Sequence, residues 1–161
     1  MPTSTYIPLA TLTLGSAASS VTFSSIPATY RDLIVVFAGT RTGSNNILFR
    51  FNSDTGSNYN WVVANGNGST TASVAETVTS IPTGYYNIAT DAQMNVIFQV
   101  MDYSATDKHK TALSRNSQAA AGVAMVAGRW GNTAAITTLQ VLTGDANFGS
   151  GSTFSLYGIA S

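Results

Sequence analysis

Apolar residues recur at every second position along much of this chain, and that period limits the fold more than any other feature. In Asn46-Ile47-Leu48-Phe49-Arg50-Phe51-Asn52, one side carries Ile47, Phe49 and Phe51 and the other Leu48, Arg50 and Asn52. Asn95 to Asp102 sorts likewise, with Val96, Phe98 and Val100 on the side assigned to the core. Thr137, Leu139 and Val141 alternate with Thr138, Gln140 and Leu142, and Phe154, Leu156 and Gly158 with Ser155, Tyr157 and Ile159. Side chains leave a strand on alternate faces, so each segment reads as a strand with one buried face. Leu33-Ile34-Val35-Val36-Phe37 is instead a continuous apolar run, the pattern of a strand covered on both faces. Leu9 to Leu14 and Trp61 to Ala64 read as further strands. So do Thr111 to Arg115 and Ala119 to Ala127, the latter because its glycines and Val123, Met125 and Val126 outweigh its alanines.

Turn chemistry separates these runs. Asn52-Ser53-Asp54-Thr55-Gly56-Ser57-Asn58 is expected to close a hairpin, with Asn52 and Asp54 bonding nearby backbone N–H groups and Gly56 free to take positive φ. Asn65-Gly66-Asn67-Gly68 holds two Asn-Gly pairs, a strong hairpin signal. Ile81-Pro82-Thr83-Gly84 and Thr143-Gly144-Asp145 read as turns. With no helix expected and no fixed repeat, residues 1–161 are expected to form one all-β domain, an antiparallel β-sandwich of jelly-roll type. Residues 1–8 are read as an extended N-terminal arm.

Composition narrows the function. Charged residues are 9% of the chain, and seven Lys and Arg cancel seven Asp and Glu. Ser, Thr, Gly and Asn supply 67 of the 161 residues, so small uncharged side chains carry the polarity. A neutral chain with scattered Arg has no phosphate-neutralising stripe, so no nucleic-acid partner is expected. The longest apolar run, Leu33 to Ala38, is far shorter than the roughly 20 residues of a spanning helix, and no secretory signal is read at the N-terminus, so no membrane partner is expected either.

No cysteine and one histidine, His109 in Asp107-Lys108-His109-Lys110, leave no thiol nucleophile, no oriented triad and no zinc set. Asp32, Asp54, Glu76, Asp91, Asp102, Asp107 and Asp145 are dispersed; a glycosidase needs two of them flanking one bond, and surface pairs and turn caps are the favoured roles. Asn52, Asp54 and Asn58 offer oxygens at spacings a calcium ion could use, but one carboxylate is a weak set, so no metal, cofactor or catalytic residue is assigned. Tyr59, Trp61, Tyr85 and Trp130 are the candidate interface or glycan contacts, because exposed Tyr and Trp stack on sugars or anchor partners.

Three stretches resemble small virion proteins and appendage domains of tailed bacteriophages. They are Leu14 to Leu33, the run Leu48-Phe49-Arg50-Phe51-Asn52-Ser53-Asp54-Thr55-Gly56-Ser57-Asn58-Tyr59, and Gly151 to Ile159. The resemblance implies a β-sandwich, often trimeric, that serves as a capsid decoration (cement) protein or as part of a tail fibre. It brings no catalytic motif. The expectation is a non-enzymatic virion protein on the capsid exterior, a homotrimer bound to the major capsid protein. The alternative is a tail-located module recognising host surface glycans. Gly68 to Thr83 matches nothing in that group and is read as an exposed, variable segment.

Overall fold

The computed structural model describes residues 4–43, 46–66, 68–69, 71–84, 91–118, 122–144 and 146–160. Among them twelve strands form: β1 (Tyr6–Thr13), β2 (Ser20–Phe23), β3 (Asp32–Gly39), β4 (Ile47–Phe51), β5 (Tyr59–Gly66), β6 (Thr71–Val78), β7 (Ile81–Pro82), β8 (Met94–Met101), β9 (Lys110–Gln118), β10 (Gly122–Trp130), β11 (Leu139–Thr143) and β12 (Thr153–Ile159). They build an eight-stranded sheet in the order β1-β12-β3-β8-β9-β10-β5-β6 and a four-stranded sheet in the order β2-β11-β4-β7. Every pairing is antiparallel. The fold is the expected sandwich.

Its winding is of jelly-roll type. The ribbon β3-β4-β5 runs alongside β12-β11-β10, and the paired strands fall in the large, the small and again the large sheet. The ribbon β1-β2 follows the other side of β12-β11 across the same two sheets. Chain ends that are distant in sequence thereby share one edge.

The core lies between the sheets and follows the period of two. Phe49 and Phe51 of β4 and Leu139 and Val141 of β11 meet Val96, Phe98 and Val100 of β8, all buried. Phe49 lies flat on Phe98, with ring centroids 3.7 Å apart and planes 3° from parallel. Phe37, Phe148 and Phe154 form a second cluster, at centroid separations of 4.8 to 5.4 Å. At Gly128 the inner face of β10 comes so near β7 that a Cβ would stand 2.7 Å from Ile81 Cγ2. Glycine there lets the end of the small sheet close onto the large one.

Five readings are corrected. The seven-residue turn after β4 is no hairpin: β4 and β5 lie in different sheets, so it is a crossover. Positive φ falls on Asn52 (49°) and Ser53 (56°), not on Gly56, because the chain must turn sharply as it leaves the small sheet. Tyr6, Ile7 and Pro8 are no arm but the start of β1, paired with β12. The segment 68–83 contains β6 and β7, and Ile81 and Thr83 are buried, so its end is core and Ile81-Pro82 is an edge strand rather than a turn. Proline is tolerated there because an edge strand leaves one row of backbone groups unpaired. Readings on Asn67, Tyr85, Ala119–Ala121 and Asp145 lie outside the described residues.

Phe49→Ala is expected to cost about 3–5 kcal/mol in urea unfolding, because it removes one half of the inter-sheet stack and leaves a void. Leu113→Ala, on an exposed position of β9, should stay within about 0.5 kcal/mol of the parent. A loss below about 1 kcal/mol for Phe49→Ala would show that this stack does not hold the sheets together.

Candidate functional site

Three of the four aromatic residues proposed as surface contacts are core residues. Tyr59, Trp61 and Trp130 are 0%, 5% and 1% exposed, and Tyr85 lies outside the described residues. The cause is parity. Tyr59, Trp61 and Val63 share one face of β5, and Trp130, Val126 and Ala124 share the matching face of β10; that face is the inner one. The rings of Phe51, Tyr59 and Trp130 pack together at centroid separations of 5.6 to 6.3 Å.

Their polar ends brace the crossover after β4. The Tyr59 hydroxyl accepts from the Phe51 N–H at 3.1 Å, and the Phe51 and Asp54 carbonyls lie within its donating reach, each at 3.3 Å. Burial pushes its pKa up to about 12. Trp130 Nε1 donates to Asp54 Oδ2 at 2.7 Å, Asn58 Nδ2 donates to the same oxygen at 2.9 Å, and the Gly56 N–H donates to Oδ1 at 2.9 Å. The Trp130 bond, with help from Asn58, Gly56 and the charge of Arg50, holds the Asp54 carboxyl below its ordinary pKa against a partial desolvation. Asn52 reaches far in sequence: its amide donates to the Ala135 carbonyl at 2.8 Å, and its oxygen accepts the Thr137 and Thr138 N–H groups at 2.9 and 3.1 Å. These oxygens serve as structural acceptors.

Asp32 and Lys110 are similarly engaged. Asp32 is 3% exposed and accepts from Arg31, Gln99 and the Asp102 N–H. Lys110 is buried and donates to the Lys108 and Thr133 carbonyls at 3.0 and 3.1 Å; burial lowers its pKa. His109 is exposed in the turn before β9. Among the described residues no group of three or more His, Cys, Asp and Glu could hold a metal ion.

What the sequence reading did not single out is the outer face of the large sheet. The strand register lays out three rows across β3, β8, β9, β10 and β5. They are Ile34–Gln99–Leu113–Ala127–Val62, Val36–Ile97–Arg115–Met125–Ala64 and Ala38–Asn95–Ser117–Val123–Gly66. Val62, Leu113, Val123 and Met125 are 46%, 43%, 57% and 59% exposed, and Met101 on the same face 43%. A concavity of about 300 Å³ opens between Tyr6, Ile34, Val36, Ile97, Leu113 and Met125, with Arg115 on its border. Arg115 also borders a second hollow, beside Ile97 and Val123. Ile34 and Val36 of the continuous run of β3 also point to this face, where Ile34 is buried and Val36 half-buried, so its exposed apolar part lies toward β9, β10 and β5.

No family model matches the chain, and no curated protein sequence matches it. Among solved structures it is similar to a tetrameric galectin from the ball sponge Cinachyrella sp., at 14% identity over 87% of this chain and 99% of that one, with a TM-score of 0.40. It is also similar to the alginate lyase Aly36B, at 8% identity over 92% and 77% of the two chains, TM-score 0.37. A PL-14 alginate lyase from Aplysia kurodai is similar at 8% identity over 96% and 80%, TM-score 0.34. Likenesses at this level transfer no function.

The lowered Asp54 pKa sets a pH dependence. Its contribution to stability is fully present above the unfolded-chain value of about 3.9 and is lost as pH falls through the lower folded value. Asp54→Asn should therefore be less stable than the parent at neutral pH, and the gap should narrow in unfolding curves taken below about pH 4. A constant gap would mean that the charge of Asp54 is not what braces the crossover. EDTA should leave the Tm unchanged; a fall restored by calcium would turn the Asn52–Asp54–Asn58 loop into a cation site.

Proposed function

We propose that the chain is a non-catalytic structural protein of a tailed-bacteriophage particle, a capsid decoration protein that binds the outer shell as a homotrimer and stabilises it. The observation that carries this reading is the exposed apolar face of the eight-stranded sheet. The five central strands span about 24 Å, and seven residues of strand about the same, so this part of the face covers roughly 600 Å² in projection. One partner's share of a standard protein interface is about 800 Å². A face of that size and character favours protein assembly over sugar binding, and the burial of Tyr59, Trp61 and Trp130 removes three of the aromatic platforms on which the glycan alternative rested. Near-zero net charge works in the same direction, since it leaves little self-repulsion to oppose association. The resemblance of Leu48 to Tyr59 to phage virion proteins supplies the particle.

A subunit that binds the assembled shell and not its free subunits stabilises the assembled state by mass action. The purified protein should sediment as a trimer at micromolar concentration. Particles lacking it should assemble but release their genome at lower temperature or under milder osmotic shock, with host attachment unchanged. Depleted particles of equal robustness that fail to adsorb would overturn this reading in favour of the receptor-binding one.

A further inference from the structure

The exposed charges on the outer face of the large sheet are arginines. Arg115 stands in its middle row, between Ile97 and Met125, and Arg129 lies at the end of β10 on the same face. Arg31 stands at the corner where β3 begins, with its side chain 58% exposed. The face has one acid among the described residues, Asp32, and that carboxylate is 3% exposed and already bonded by Arg31, Gln99 and the Asp102 N–H. Arg31 is thereby paired, but two copies laid face to face would bring Arg115 and Arg129 of each into one drying layer, and among the described residues of this face no exposed carboxylate meets them. Unpaired buried charge and like-charge juxtaposition are each strongly unfavourable in an interface. The face is apolar enough to dock and wrongly charged to dock on itself.

We infer that this face receives a different protein, whose complementary surface is apolar and carries a carboxylate placed against Arg115. Resting on the virion reading, that protein is the capsid shell. Arginine suits the position. Its stem can lie along the apolar rows while its planar fork takes a carboxylate through two parallel hydrogen bonds, which fixes the register of docking as well as the affinity. The hollows on either side of Arg115, about 300 and 270 Å³, are sized for apolar side chains of the partner. The trimer contacts then lie elsewhere on the subunit, and the sheet face stays open in the free protein.

Hydroxyl-radical footprinting of the free protein and of purified particles that carry it tests this directly. Met125 and Leu113 should be labelled in the free protein and protected on the particle, while Leu48 and Leu142, on the outer face of the small sheet, are unchanged. Added back to depleted particles, Arg115→Glu should lose about tenfold or more in occupancy, with Arg115→Lys, which keeps the charge but not the two parallel hydrogen bonds, falling between it and the parent. Protection of Met125 in the free oligomer would make a second copy the occupant and overturn the inference. So would an open Met125 on the particle, protection of Leu48 and Leu142 in its place, or full binding by Arg115→Glu; each of these leaves the virion reading standing. Absence of the chain from particles, read by mass spectrometry, would instead overturn the virion reading and this inference with it.

Discussion

Phe49 of the small sheet and Phe98 of the large one lie flat against each other at 3.7 Å, both fully buried, and this contact fixes the parity of everything around it. Because side chains alternate along a strand, a slip of one residue would turn a whole strand inside out. With Phe98 inward, Ile97 and Gln99 must point outward. The register then carries that choice through Arg115 and Leu113 of β9 to Met125 and Ala127 of β10. The apolar outer face is thus a consequence of how the core is keyed.

Four strands cannot cover eight, so the rest of the inner face is closed by loops and large side chains. Around the open end of the large sheet, Tyr59 and Trp130 fill the volume and hold the crossover by their polar tips, and Asn52 ties that crossover to the segment before β11. Tyr103 does similar duty near β3: its hydroxyl bonds the Pro27 carbonyl, and its ring is fully buried. Each of these residues combines an apolar body with a hydrogen-bonding end, which is what a lining between core and loop requires. Tyr59, Tyr103 and Trp130 are spent in this way, inside.

Much of the fold was legible in the sequence. Strands such as β4, β8, β11 and β12 advertise themselves because each sets large apolar residues against polar or smaller ones. β6 does not: Thr71-Ala72-Ser73-Val74-Ala75-Glu76-Thr77-Val78 has little bulk on either side, as suits an edge strand. β7 is two residues long and includes a proline, so nothing local marks it; only Ile81 meeting Gly128 across the sheets makes it part of the core. The loop from Asn52 to Asn58 contains good turn residues, but turn chemistry does not say which sheet the next strand joins. Tyr59, Trp61 and Trp130 were misjudged by type. Parity with Val63 and Val126 would have turned them inward and drawn attention to Val62, Met125 and Arg115 on the other side.

The central claim is that the outer face of the eight-stranded sheet is a docking surface for the shell of a virus particle. The most direct measurement is an image reconstruction of the intact particle at a resolution that separates strands. The account predicts density for this sandwich on the outside of the capsid, with β8, β9 and β10 against the shell and an acidic side chain of the shell protein beside Arg115. Density that sets this sheet face toward solvent, or places the chain on the tail alone, would contradict it.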